Sequence, residues 1–461
     1  MTTERSFSVR GKRVTVAGAA RSGVAAAELL VRRGATVTLS DTREALDDED
    51  RLRAAGVDLE LGGHQAQTFT GADLIVASPG VPPHLPALEA ARAAGVPILG
   101  ELELASRWLR GRVIAVTGTK GKSTTTTLIG RMLEAGGHRV LVGGNIGTAL
   151  SGQVDDSTEE TLHVVETSSF QLESTVTFHP WIAVLLNFSP DHLDRHETIE
   201  AYAAAKARIF AKQTDEDWAV LNADDPGALA IAAGTRARRL RFATEGALDA
   251  GIAIDGDTIV RRTAAGQEPL VPLSSIRLLG RHLTADVLAA CAVASIVGVD
   301  AGSMTRSVEG FSGLEHALEP AGEVGEVRFV NDSKATNIEA ARRAIESFDE
   351  GLVVILGGRF KGGAFADLAG PLESRRATVV AIGEARPLIA EALGQRVTVR
   401  EASDMSAAVR TAFAIAAPGS TVVLAPACAS FDMFRDYAER GRVFKQEVSR
   451  LQEEWIVTRE Q

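Results

Sequence analysis

Apolar residues along the chain gather into short runs separated by longer segments of helical spacing. RVTVAGAARSG (13–23) reads as a strand running into a small-residue turn, and VAAAELLVRRG (24–34) as a helix ended by Gly34. ATVTLSD (35–41) is a second strand closing on Asp41, and DLIVASPG (73–80) a later one stopping at a Pro-Gly turn. This alternation predicts a parallel sheet, because parallel neighbours are joined through crossover helices.

Around GVPILGELELASRW (95–108) the chain passes into a second unit. It opens with strand VIAVTG (113–118), a loop, and helix TTTTLIGRMLEAGG (124–137). HVVETSSF (163–170) and WIAVLLNF (181–188) are further buried strands with polar ends. A third unit starts near FSGLEHALEP (311–320) and carries strands VRFVNDS, LVVILGG, TVVAIG and TVVLAPACAS. The expected fold class is therefore α/β, with three α/β units joined by short linkers. Nearly every polar cluster stands at the carboxyl end of a strand, where open parallel sheets bind ligands. The expectation is of ligands held between domains.

Composition narrows the function. Of 461 residues, 45% are hydrophobic, enough for several cores, and the formal charge is −11, which disfavours nucleic-acid backbones as partners. An anionic ligand must then be held by local basic groups and backbone amides. The two cysteines, Cys291 and Cys428, have no metal spacing and suit a reducing compartment. The first residues lack a signal-peptide core, and VLAACAVASIVGV (287–299) is too short to span a bilayer and reads as a buried helix. A cytoplasmic protein without membrane insertion is expected, with a monomer as its state.

The chemistry concentrates in a few loops. TGTKGKST (117–124) resembles a phosphate loop with its first glycine displaced to Gly118. Backbone amides around Gly118, Thr119, Lys120 and Gly121 would face phosphate at a helix start, Lys122 would neutralise it, and Ser123 or Thr124 would ligate magnesium. Glu166 closes a strand near this loop and suits a magnesium ligand; the bland alternative is a solvated edge carboxylate. His192, in NFSPDHLDRH (187–196), suits a metal or phosphate, and Lys206 lies on helix AYAAAKARIF, where an ordinary surface lysine is the bland reading. GAARSG (18–23) followed by Asp41 is a weak dinucleotide fingerprint: Ala20 replaces the glycine that lets backbone approach a pyrophosphate, and Arg43 fits a different phosphate-bearing ligand equally well. NDSKATN (331–337), GGRFKGG (357–363) and PACASFD (426–432) put Lys334, Lys361 and Ser430 where they could cradle a small carboxylate. Cys428 reads as a packed small residue, with no histidine placed to activate it.

TGTKGKST, ETSSFQLE, NFSPDHLDRH, AYAAAKARIF, NDSKATN and PACASFDMF, in that order, resemble the Mur ligase family, ATP-dependent ligases that build the peptide of bacterial cell-wall precursors. The resemblance covers essentially the whole chain, and the shortened loop is the family's own form. It implies a Rossmann-like domain over 1–100 for the UDP substrate, a central P-loop ATPase-type domain over 101–312, and a Rossmann-like amino-acid-binding domain over 313–461. SSFQLE, NDSKATN and PACAS single out the branch that adds D-glutamate to UDP-N-acetylmuramoyl-L-alanine through an acyl phosphate. The alternative is a sister or folylpolyglutamate-type ligase with another amino acid.

Residue by residue, the resemblance implies that Lys122 grips the terminal phosphates. Ser123 and Glu166 would hold one magnesium and His192 a second, and a carbamylated Lys206 would be a further ligand. Asp332 would face the ATP ribose. Ser22, Asp41, Thr42 and Arg43 would bind the UDP end, with Asn145, Ser168 and Gln171 along the muramoyl-alanine path. Lys334, Thr336, Lys361, Ser430 and Phe431 would surround D-glutamate. The chain departs from the family at Leu283 and Asp286, where asparagines are frequent, at Ala317, where an arginine often follows the histidine, and at Phe360. Rival classes explain less. A motor or regulatory NTPase needs no such set of polar strand ends, a nicotinamide dehydrogenase leaves TGTKGKST unused, and a non-catalytic ligase fold rests on the departures alone.

Overall fold

A computed structural model of the chain describes residues 7–191, 193–246, 248–276, 281–311 and 313–459. Those residues form two compact units, one running through Gly310 and the other starting at Phe311. His192, a candidate metal ligand, lies outside the described residues.

The first unit contains two sheets. β1 (Arg13–Ala17), β2 (Thr36–Ser40), β3 (Val57–Glu60), β4 (Leu74–Ala77) and β5 (Ile98–Gly100) form a parallel sheet in the order β3-β2-β1-β4-β5. The strand order reverses beside β1, so the turn after β1 and the end of β4 flank a crevice at the carboxyl edge. Helix Arg21–Arg32 follows that turn; its buried Ala26, Ala27 and Leu30 pack on the sheet, as the helical spacing predicts.

The second sheet has nine strands: β6 (Arg112–Thr117), β7 (Val140–Gly144), β8 (Leu162–Glu166), β9 (Ile182–Leu185), β10 (Trp218–Asn222), β11 (Arg238–Phe242), β12 (Gly251–Asp255), β13 (Thr258–Thr263) and β14 (Gly266–Pro272). Their order is β14-β13-β12-β11-β10-β9-β6-β8-β7. β6 lies between β8 and β9 in the parallel part, so the phosphate-type loop and Glu166 leave adjacent strands. β12 to β14 turn antiparallel, an extension beyond the expected parallel plan. Helix Arg281–Val297 carries the run at 287–294 fully buried, which matches its reading as a core helix.

In the second unit, β15 (Glu319–Val324) and β16 (Val327–Asn331) pair antiparallel. β17 (Leu352–Gly357), β18 (Thr378–Ile382), β19 (Thr398–Glu401) and β20 (Thr421–Leu424) continue in parallel, in the order β15-β16-β20-β17-β18-β19. Continuous apolar runs such as LVVILG are buried throughout, as both faces of a parallel sheet are covered by helices. The adjacent strands β16, β20 and β17 end in NDSKATN, PACAS and GGRFKGG, so these loops gather at one edge.

Candidate active site

β6 delivers the chain into the loop 117–121, and helix Lys122–Ala135 starts directly after it. Gly121 has φ 79°, and a Cβ there would meet Asp286 Oδ1 at 2.1 Å; the loop therefore requires glycine at this turn. The Thr119 and Lys120 amides both donate to Asn187 Oδ1, at 3.0 and 2.8 Å, which ties the loop to the end of β9. Lys122 Nζ donates to the carbonyls of Gly118 and Thr119, at 3.0 and 2.9 Å. Thr124 sits in the first turn of the same helix, partly buried.

Glu166 is buried, contrary to the bland reading of a solvated edge carboxylate. Ser123 Oγ donates to its Oε2 at 2.6 Å, and Asn145 Nδ2 to its Oε1 at 2.6 Å. Lys206 is 1% exposed, not a surface lysine, and its Nζ donates to the Gly118 carbonyl at 2.8 Å. It stands over the Tyr202 ring at 4.6 Å. Burial, together with the nearby Lys122 charge, pushes the Lys206 amine down to about 7, so a large neutral fraction exists near neutral pH.

A cavity of about 310 Å³ is lined by Pro79, Gly80, Lys122, Asn145, Ser168, Ser169, Phe170, Tyr202 and Lys206. Candidates from the SPG, TGTKGKST, GGNIG, ETSS and AYAAAK stretches thus meet in one place. Ser168 caps helix Ser169–Glu173 and exchanges hydrogen bonds with Gln171, so both side chains first build the helix start. Gln171 lines an adjoining cavity of about 490 Å³ that shares Pro79 and Phe170 as walls.

At the crevice beside β1, Asp41 accepts from the Ala19 amide at 2.6 Å and pairs with Arg43 at 2.9 Å. Burial opposes its charge, but the Arg43 side chain and these amides hold the carboxyl well below the usual range. Thr42 and Arg43 follow it exposed, and Ser22 is half-buried in the first turn of helix Arg21–Arg32. They form a separate cluster from the lysine–glutamate site, within the same unit.

In the second unit, Asp332 is buried at the end of β16 and accepts from the Leu318 amide at 3.2 Å. Burial pushes its carboxyl up to about 7. Lys334 and Thr336 follow it, Lys361 stands exposed in the glycine-rich loop, Ser430 is buried, and Phe431 is 61% exposed. Loops 357–359 and 427–429 are joined by paired backbone hydrogen bonds between Arg359 and Ala429.

Three residues outside the motif reading matter. Arg440, on helix Tyr437–Arg459, is buried and donates to Ser333 Oγ at 2.9 Å, Ser333 O at 2.9 Å and Cys428 O at 3.1 Å. It clasps two of the candidate D-glutamate loops. Arg21 reaches Asn145 O at 3.0 Å. Asp286, first noted only as a departure, is buried against Gly121, with its carboxyl pushed up by burial. The basic RSG and ERG contexts are the sole sequence hints for the arginines. Of the other departures, Leu283 and Ala317 are partly buried, and Phe360 stacks on Phe365 at 4.7 Å.

Magnesium prefers oxygen ligands and commonly uses one or two carboxylates plus substrate phosphates. Glu166 and the Ser123 hydroxyl fit that need at the start of a helix. Among the described residues no group of three or more His, Cys, Asp or Glu could hold a metal ion. No helix among them is long and apolar enough to cross a membrane.

Comparison with known proteins accords with this geometry. Residues 12–100 match the model of the Mur ligase MurD-like N-terminal domain, 116–294 the Mur ligase middle domain, and 318–428 the Mur ligase glutamate ligase domain. A UDP-N-acetylmuramoylalanine–D-glutamate ligase of Acidobacterium capsulatum is 47% identical over 95% of this chain and 96% of its own. One of Koribacter versatilis is 43% identical over 97% and 99%. The crystal structure of UDP-N-acetylmuramate–alanine ligase MurC from Thermotoga maritima shares the fold, with a TM-score of 0.58 at 18% identity over 95% of this chain and 99% of that one. A three-part match of this kind, with near full-length relatives above 40% identity, places the chain in the Mur ligase family.

Proposed function

We infer that the protein is an ATP-dependent ligase joining D-glutamate to UDP-N-acetylmuramoyl-L-alanine, in the synthesis of peptidoglycan precursors. The near full-length likeness to ligases of that name supports the reaction. The observation that carries the assignment of residues is the buried Glu166–Ser123 pair, with Lys122 and Lys206 both on the Gly118 carbonyl.

The chemistry requires activation, because a carboxylate is a poor electrophile. One oxygen of the L-alanyl carboxylate attacks the γ-phosphorus, the β–γ bridge breaks, and ADP leaves. The amine of D-glutamate then adds to the acyl carbon, loses a proton, and expels phosphate. Positioning and charge neutralisation supply most of the acceleration. In this reading Lys122 and the Gly118–Gly121 loop hold the phosphates, with the Thr119 and Lys120 amides spent on Asn187 Oδ1, where they fix the loop instead of facing phosphate, and Thr124 lies in the following turn. Glu166 and Ser123 would hold magnesium, which supplies charge neutralisation on the phosphates. His192 is proposed for a second ion. Lys206, as a neutral amine, is suited to add to carbon dioxide with loss of a proton, giving a carbamate that supplies an anionic oxygen ligand.

The division of labour follows the three segments: 1–100 for the UDP end through Ser22, Asp41, Thr42 and Arg43, 101–312 for ATP, and 313–461 for the amino acid. Asn145, Ser168 and Gln171 are assigned to the muramoyl-alanine path, Asp332 to the ribose, and Lys334, Thr336, Lys361, Ser430 and Phe431 to D-glutamate. The test is phosphate release from ATP with UDP-N-acetylmuramoyl-L-alanine, offering D-glutamate, L-glutamate, D-alanine or diaminopimelate. Release with D-glutamate well above the others is expected; release indifferent to the amino acid would overturn the assignment.

A further inference from the structure

Glu166 is held from two sides. Ser123, from the phosphate loop, takes Oε2, and Asn145 takes Oε1 with its side chain at 2.6 Å while its backbone amide donates to Glu166 O at 2.9 Å. The far side of Asn145 is tied in turn: its carbonyl accepts from Arg21 Nη2 at 3.0 Å. Arg21 opens helix Arg21–Arg32, immediately before Ser22, at the crevice assigned above to the UDP end. A continuous chain of polar contacts therefore runs from that crevice to the candidate magnesium carboxylate.

The same helix is docked on the central part of the unit independently of Arg21. Leu29 is buried in the core of the second sheet, and Arg32 and Arg33 each pair with Asp155 at 2.8 Å. Glu101, next to this helix, accepts the Ser151 amide at 2.6 Å. Removing the Arg21 guanidinium thus leaves the helix docked while cutting the hydrogen bond to Asn145, together with the charge attraction between Arg21 and buried Glu101.

We propose that Arg21 is a positioning residue that, through Asn145, sets the Glu166 carboxylate, so that occupancy of the UDP crevice is felt at the magnesium–ATP site. The proposal rests on the function inferred above and adds the coupling between its two substrates. Energetically, coupling of this kind is reciprocal: each ligand changes the other's affinity by the same factor.

The test measures binding of a non-hydrolysable ATP analogue with magnesium, with and without saturating UDP-N-acetylmuramoyl-L-alanine. In the wild-type protein the UDP substrate is expected to tighten the analogue by about fivefold or more. Arg21→Leu is expected to bring that ratio close to one, with analogue affinity in the absence of UDP substrate within about twofold of wild type and Tm unchanged. Combining Arg21→Leu with Asn145→Ala should lose no more coupling than either alone, as two links of one chain do. Arg21→Gln, which keeps a donor, should retain part of the ratio and serves if the leucine variant does not fold. A full ratio in Arg21→Leu, or a wild-type ratio of one, would overturn the proposal. A raised KM for the UDP substrate with the ratio intact would do the same, making Arg21 a direct ligand. Failure of the function itself reads out separately, as absence of D-glutamate-dependent phosphate release by wild type.

Discussion

At the scale of single residues, environment decides chemistry. Lys122 and Lys206 donate to the same carbonyl, and Lys206 is buried, its amine driven down to about 7. Lys122→Ala is expected to lower kcat by at least about a hundredfold through loss of phosphate neutralisation, measured as ADP formation. Lys206→Ala should be nearly inactive and partly rescued by short carboxylic acids; full activity without additive would rule out the carbamate. Because the neutral amine predominates above about 7, wild-type activity should fall as pH drops below that value, and added bicarbonate should offset part of the fall. His163 makes a separate prediction. It is fully buried between Ser157 Oγ at 2.8 Å and Gln153 Oε1 at 3.1 Å, and burial pushes its ring from 6.5 down to about 4. The unfolded chain takes up that proton near 6.5 and the folded chain resists it to about 4, so this group lowers stability as pH falls through that window. His163→Gln should flatten the decline, measured by denaturant midpoints between those pH values.

At the scale of elements, the parts visible in the sequence are those where periodicity and position coincide. β1, β6, β8, β16 and β20 were all legible as apolar runs, and their polar ends carry the candidates because strand ends are where loops begin. The two-residue β12–β13 turn is Gly256-Asp257, with Gly256 at φ 59°, a hairpin signal, but the expected plan was a parallel sheet and missed the antiparallel extension. Arg440 and Arg21 were illegible for another reason: a helix hides which face a lone arginine presents, and only packing reveals its partners. Glu103 is the strongest such case. It is fully buried in helix Glu101–Ser106 and accepts from the amides of Val176, Thr177 and Phe178, from Thr177 Oγ1, and from Arg107. Burial opposes its charge, but these donors hold the carboxyl below its ordinary value. Glu103→Ala orphans those donors and should cost about 3 kcal/mol of stability, read from urea unfolding. Arg440→Met should loosen the loops at 333 and 428 and raise KM for D-glutamate more than KM for ATP, in steady-state assays.

At the scale of the whole molecule, an acidic chain handles anionic substrates by keeping its cations local. The net charge is −11, while Lys122, Arg43, Lys334 and Lys361 follow strand ends and Lys206 reaches the Gly118 carbonyl from helix Ile199–Ala207. The order of motifs along the chain made the family legible before any coordinate, whereas the pairing of Glu166 with both Ser123 and Asn145 emerged only from the fold. The central claim is that ATP activates the substrate carboxylate for capture by an amine. Its most direct test is oxygen transfer. UDP-N-acetylmuramoyl-L-alanine labelled with ¹⁸O in its carboxylate is turned over with D-glutamate and unlabelled ATP, and the released phosphate is weighed by mass spectrometry. The acyl-phosphate route predicts one ¹⁸O in each phosphate formed; phosphate free of label, with amide product accumulating normally, would contradict it.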